Sequence, residues 1–198
     1  MAKSKEEIEK EIIRFLDENS THKGDGTQPG CGLRHGIACA LGTSKNNIPR
    51  VTPIDFFNDG LTLWMIGNAG GKLGNIRSNP NVSVGIYTRM DHSVENRSIQ
   101  LWGKASLITY RKQKELFMEI ITERFPILDA IRQDMQGRRD STYHTPRMID
   151  SAQDEDFGTE LEKGLNSVAL IKVEPERIAL LISRPDGTME KLIWEKSR

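Results

Sequence analysis

Apolar positions along the chain change their period several times. Near the N-terminus Ile8, Ile12, Phe15 and Leu16 fall at i, i+4, i+7 and i+8, the spacing of one helical face. Ser4-Lys5-Glu6-Glu7 just before them has the form of a capping box, with the Ser4 hydroxyl accepting from a first-turn amide and Glu7 reaching back. The pattern predicts a helix over 4–19. Thr21 to Gly32 is rich in Gly, Thr and Pro and reads as a loop. From His35 the period shortens to two. Gly36 to Leu41 and Arg50 to Phe57 read as strands, Asn58-Asp59-Gly60 as a hairpin turn, and Leu61, Leu63 and Met65 as one face of the returning strand. Val82, Val84 and Ile86 alternate with Ser83, Gly85 and Tyr87; Ile99, Leu101, Gly103 and Ala105 alternate with Gln100, Trp102 and Lys104. Each is a strand with one buried face.

Helical spacing then returns. Leu116, Phe117, Ile120 and Ile121 form a stripe that stops near Pro126, and Leu128, Ile131 and Met135 form another closed by Gly137. Residues 138–164 are polar with few apolar anchors and read as a long excursion, either a mobile flap or a segment ordered by a partner. Strands end the chain at Ser167 to Val173, Arg177 to Ser183 and Thr188 to Trp194, the last two joined by a Pro185-Asp186-Gly187 turn. Strands in consecutive runs, without βαβ alternation, predict a mainly β fold with flanking helices, its antiparallel sheet rolled into a barrel. A length of 198 residues suits one domain spanning 1–198.

Charge narrows the function. Lys plus Arg and Asp plus Glu number 28 each, so no net field draws the protein to nucleic acid or to an anionic membrane. No apolar run approaches the roughly 20 residues that cross a bilayer. The N-terminal ten residues are charged and lack an apolar signal core, so the expectation is a cytoplasmic protein. Two cysteines make no disulfide framework. Cys31-x3-His35-x3-Cys39 supplies three candidate metal ligands where structural zinc takes four, and Cys39 reads as a buried strand residue, so no metal site is expected.

The segment Ile66-Gly-Asn-Ala-Gly-Gly-Lys-Leu, followed by Gly-Asn-Ile-Arg-Ser-Asn-Pro80, resembles part of a triphosphate-binding loop. Ile66 stands where such a loop needs its first glycine, and Leu73 where it needs a hydroxyl, so an ATP or GTP hydrolase is not expected. Two readings remain. Gly70-Gly71 allows a close backbone approach, and a short helix from Lys72 would point free amides at an anion. The alternative is a plain surface corner with a solvated lysine, which spacing alone favours. Pro53 inside the strand from Arg50 belongs on an edge, since proline cannot donate to a ladder.

The order of these pieces, from Ile-Pro-Arg50 through Lys72-x3-Ile76-x2-Asn79-Pro80 to Gly103-Lys104-Ala105, resembles the pyridoxamine 5′-phosphate oxidase-like proteins, the FMN-binding split-barrel superfamily. The resemblance covers Ile37 to about Ile108 and is most specific over Lys72 to Pro80. It implies an antiparallel split β-barrel, a homodimer with FMN at the subunit interface, and a flavin-dependent oxidoreductase acting on a small molecule. It further implies that Arg50 and Lys72 reach the phosphate beside the Gly71 backbone, that the ring lies along Val51, Thr52 and Pro53 and the adjoining Met65 and Ile66, and that Ser98 and Gln100 face the flavin from the partner. Trp102 and Tyr87 are expected in barrel packing or against the ring. The chain departs from the family in having Gly70-Gly71 before the lysine. It also lacks the C-terminal Arg-Leu-His-Asp-Arg-type substrate motif, so oxidation of pyridoxamine phosphate itself is not expected. A non-catalytic flavin-binding or storage protein, a deazaflavin reductase and a haem-binding split barrel, with His35 or His92 as axial ligand, are the alternatives.

Overall fold

The computed structural model describes residues 3–23, 33–34, 36–88, 91, 93–125, 128 and 157–197. Helix α1 (Lys5–Asn19) forms as the sequence predicts, with both capping-box bonds present: Ser4 Oγ accepts from the Glu7 amide at 3.2 Å, and Glu7 Oε2 from the Ser4 amide at 2.7 Å. Its buried face, Ile12, Phe15 and Leu16, closes one end of the barrel. Glu9 of the same helix accepts from Trp194 Nε1 at 2.8 Å and ties it to the last strand. β1 (His22–Lys23) and β2 (Leu33–Arg34) make a small separate ladder.

The main sheet contains β3 (Cys39–Lys45), β4 (Ile48–Ile54), β5 (Phe57–Asp59), β6 (Thr62–Asn68), β7 (Asn81–Tyr87), β8 (Asn96–Thr109), β9 (Val168–Ser183) and β10 (Met189–Glu195). Its order is β4-β3-β7-β8-β9-β6-β5, with β10 also on β9, and every pairing is antiparallel. β4 and β5 are nearly continuous in the chain yet lie at opposite ends of this order. The sheet therefore rolls until its ends approach, but no ladder joins β4 to β6, and the fold is a split barrel. Pro49 and Pro53 sit in β4, whose only ladder partner among the described residues is β3; the edge position expected of Pro53 is the one found there.

The strand read over Arg50 to Phe57 is broken after Ile54, and Phe57 begins β5 at the other end of the sheet order. Three further boundaries differ from the sequence reading. β3 runs on to Lys45 because Asn46 and Asn47, at φ 51 and 61, form a two-residue hairpin of the type with two positive φ angles. The two late strands are one, β9, with Pro175 in its middle. Its first half pairs β6 up to Val173 and its second half pairs β10 from Arg177, so Pro175 lies where the outer partner changes and no amide is needed. Opposite it β8 carries a bulge between Trp102 and Gly103, and a Cβ on Gly103 would stand 2.3 Å from the Glu174 carbonyl. Lastly, the end of the 138–164 excursion is helical: α4 (Phe157–Ser167) buries Leu165, and its Glu162 accepts from the Tyr110 hydroxyl at 3.1 Å. Residues 138–156 and most of the 128–135 stripe lie outside the described residues.

Helix α2 (Gly71–Ser78) closes the other end of the barrel with Leu73 and Ile76. α3 (Lys114–Glu119) and a π-helical turn (Ile120–Arg124) cover a second apolar cluster of Phe57, Trp64, Ile108 and Phe117; Leu116, read as part of that stripe, is exposed instead.

Candidate functional site

The split leaves two strand edges unpaired along a single seam. Among the described residues β4 uses one edge only, and β6 beyond Trp64 pairs β9 but nothing on its other side. Side chains of β4 alternate across the seam. Arg50, Thr52 and Ile54 share the face of Thr43, Leu41 and Cys39, which is the barrel side, whereas Val51 and Pro53 face outward. The Thr52 hydroxyl is buried and has no hydrogen-bond partner among the described residues. Leaving such a group unpaired costs about 1–3 kcal/mol, and its presence in a native fold calls for an explanation.

At one end of the seam stands the first turn of α2. Gly70, its N-cap, has φ 158 and ψ −172 and gives no side-chain cap, so the first amides of the helix keep no capping partner. Arg50 lies directly against this turn: its Nη1 is 2.8 Å and its Cζ 3.2 Å from the point that a Cβ on Gly71 would occupy. The Lys72 stem folds back over Gly67, with Cε 3.2 Å from the corresponding point there. Among the described residues neither Arg50 nor Lys72 makes an ion pair. Arg50 from the β4 lip thus reaches the first turn of α2, which carries Lys72 and has no side-chain cap, an arrangement suited to an anion. The close approach of Arg50 also accounts for Gly71, since any side chain there would displace the guanidinium.

Other sequence-predicted residues are placed apart from this cluster. The Met65 side chain is in the barrel core, 1% exposed, leaving only its backbone at the seam. Ile66 turns to the opposite face and packs on the second cluster. Ser98 and Gln100 lie on the outer face of β8. Gln100 shares one row with Gly85, Ala40 and Pro53, three strand spacings from β4 or roughly 14 Å. Within one chain they do not meet the cluster. Trp102 and Tyr87 are on the same outer face, 41% and 62% exposed, and so are not packed inside the barrel. Asn75 and Thr43, which the sequence reading did not single out, join α2 to β3 by a bond of 3.1 Å; an asparagine three residues after the lysine was the available signal.

Cys39 is the strand residue expected of it, with burial pushing its thiol up to about 12. Cys31, His35, His92 and His144 lie outside the described residues, and among those described no group of metal-ligating side chains forms.

A family model, pyridoxamine 5′-phosphate oxidase, matches residues 32–181, more than half of the chain. The chain belongs to the pyridoxamine 5′-phosphate oxidase family. Two solved structures agree on the fold, and a third stands beside them. PhzG from Burkholderia lata 383, in complex with tetrahydrophenazine-1-carboxylic acid, is 13% identical with a TM-score of 0.51, covering 81% of this chain and 76% of that one. A candidate 5-nitroimidazole antibiotic resistance protein from Bacteroides thetaiotaomicron is 15% identical, with a TM-score of 0.50 and coverage of 94% and 87%. A family-related FMN-binding protein from Nostoc punctiforme is 11% identical, with a TM-score of 0.48 and coverage of 80% and 88%. A search of curated proteins gave no match.

Proposed function

We propose that this family member binds FMN in the seam and acts, as a homodimer, as a flavin-dependent oxidoreductase on a small molecule. The observation that carries the reading is the contact of Arg50 with the first turn of α2, the turn that also carries Lys72 and has no side-chain cap. A terminal phosphate monoester suits two cations and free amides, and the orphaned Thr52 hydroxyl suits a polar ring edge two residues along the same strand face. The flavin, when bound, supplies two-electron redox chemistry. The chain's part is to hold the phosphate, to offer the Thr52 hydroxyl and the free β6 edge from Met65 to Asn68 to the ring, and to keep water from its buried side. Gln100 and Ser98, too far away within one chain, would approach the ring from a second copy.

Absorption spectra test this reading. Protein reconstituted with FMN should show a flavin spectrum shifted from that of free FMN, and NADPH or dithionite should bleach it. A Soret band would point to haem instead. Flavin that binds but is never reduced by NADH or NADPH would favour a storage role, and no flavin binding at all would remove the proposal.

A further inference from the structure

The anion cluster is built from two separate pieces of chain, and something must hold them in register. Arg50 is on β4 and Lys72 on α2, with no ladder between β4 and the strand that leads into α2. Leu73 and Ile76 anchor α2 in the core, but apolar packing alone leaves a short helix free to slide or rotate slightly. Directional bonds to the sheet come from one face of the helix. Asn75 Nδ2 donates to Thr43 Oγ1 at 3.1 Å, and Thr43 is only 4% exposed. Thr43 is the cross-strand partner of Arg50, so the two side chains stand on the same face of the β3–β4 ladder. Asn75 in turn is four residues from Gly71 and three from Lys72, on the same side of the helix as both. The contacts close a ring: Arg50 lies on Gly71, Gly71 is one turn from Asn75, Asn75 bonds Thr43, and Thr43 flanks Arg50 across the ladder. A second bond, from Asn79 Nδ2 to Ser44 Oγ at 2.9 Å, pins the far end of α2, where Asn79 Oδ1 also accepts from the Asn81 amide at 3.1 Å.

We propose that Asn75 and Thr43 are positioning residues for phosphate recognition: their bond sets the distance between the α2 amides with Lys72 and the guanidinium of Arg50. The proposal rests on the FMN reading above. Neither side chain touches the phosphate. They act through the geometry of groups that do, and a displacement well under an ångström is enough to lose a charge-assisted hydrogen bond. The consequence is specific. Loss of the bond weakens binding of the phosphate but leaves the ring contacts at Thr52 and the β6 edge untouched. FMN should lose affinity, and riboflavin, the same ring without phosphate, should not.

Calorimetric titration of the full chain with FMN and with riboflavin provides the test. Wild type should bind FMN more tightly. Asn75→Ala and Thr43→Val should each cut FMN affinity about three- to tenfold, the worth of roughly one hydrogen bond, with riboflavin affinity unchanged. Thr43→Ser keeps the hydroxyl and should restore the FMN preference. Asn79→Ala removes the far pin and should lower the Tm. Equal losses for FMN and riboflavin, or an unchanged ratio in Asn75→Ala and Thr43→Val, would overturn the positioning role while leaving the FMN reading intact. A wild-type chain that binds both ligands equally would overturn the phosphate reading and this proposal together.

Discussion

At the scale of single residues the glycines sort by what their missing Cβ would meet. At Gly71 it would meet the tip of the Arg50 side chain, which can swing away; at Gly103 it would meet the Glu174 carbonyl, which cannot. Gly71→Ala should therefore fold normally but bind FMN more weakly, whereas Gly103→Ala should lower the melting temperature or prevent folding. Lys72→Ala and Arg50→Ala should each reduce FMN affinity by about ten- to a hundredfold, since a charged hydrogen bond is worth about 1.5–3 kcal/mol. Their Tm without FMN should barely change, because neither residue takes part in an ion pair of the described fold. Calorimetry beside thermal melts separates the two behaviours, and unchanged affinity in Lys72→Ala would sink the phosphate assignment. The candidate site was legible in the sequence only in part. Lys72 and Arg50 were visible as cations in the right order of strands, but the approach of Arg50 to the turn that carries Lys72 depends on how the sheet rolls. Thr52 could be named from its strand, yet nothing in the sequence shows that its hydroxyl ends without a partner. The direction of the Met65 side chain followed from its alternation with Leu63, which already placed it in the core.

Elements with a complete local signal form where the sequence puts them. α1 carries its start signal and its apolar face within one stretch of sequence, and structure and pattern agree to within a residue. β9 carries a misleading local signal, a mid-strand proline, and is continuous because its outer partner changes from β6 to β10 at that point. No local rule contains that information. The capping box of α1 makes a testable pH effect. Chiefly the Ser4 amide, and then the Ser4 hydroxyl, hold the Glu7 carboxyl below its ordinary value of 4.5. Because the folded value is the lowered one, the charged Glu7 stabilises the fold above about pH 4.5, and its contribution fades as pH falls from there through the lowered value. Glu7→Gln should thus be less stable than wild type near neutrality, with the difference closing in acid. Ser4→Ala should cost about 1 kcal/mol, or roughly 2–4 °C in Tm. Urea unfolding at neutral pH and at pH 3 measures both. A Glu7→Gln deficit that stays constant across that range would contradict the linkage.

For the whole molecule the outer face of the sheet is the unsettled surface. Val51, Tyr87, Trp102 and Ile193 share it, and they are 67%, 62%, 41% and 40% exposed. Between them the residues are small: Ala40, Gly42 and Gly85. Around its margin are charges, including the Lys104–Glu176 pair and Arg177, whose guanidinium lies 5.4 Å from the Trp102 ring centre. Large apolar side chains over a small-residue floor within a charged margin are what an interface presents before it is covered. The same face carries Ser98 and Gln100, which cannot reach their own chain's seam. The homodimer proposed above would answer both facts: two copies packing these faces together, each supplying Gln100 and Ser98 to the other's flavin. Light scattering should therefore give twice the chain mass of 22.4 kDa. If the proposed dimer holds, Trp102→Glu should yield a monomer that also binds FMN less tightly, because Gln100 and Ser98 would leave with the partner. Val94→Glu, in the turn before β8 and 51% exposed, should leave both mass and affinity alone. If Trp102→Glu becomes monomeric but keeps full affinity for FMN and for riboflavin, each site is complete within one chain. The outer face would then serve assembly without serving the flavin.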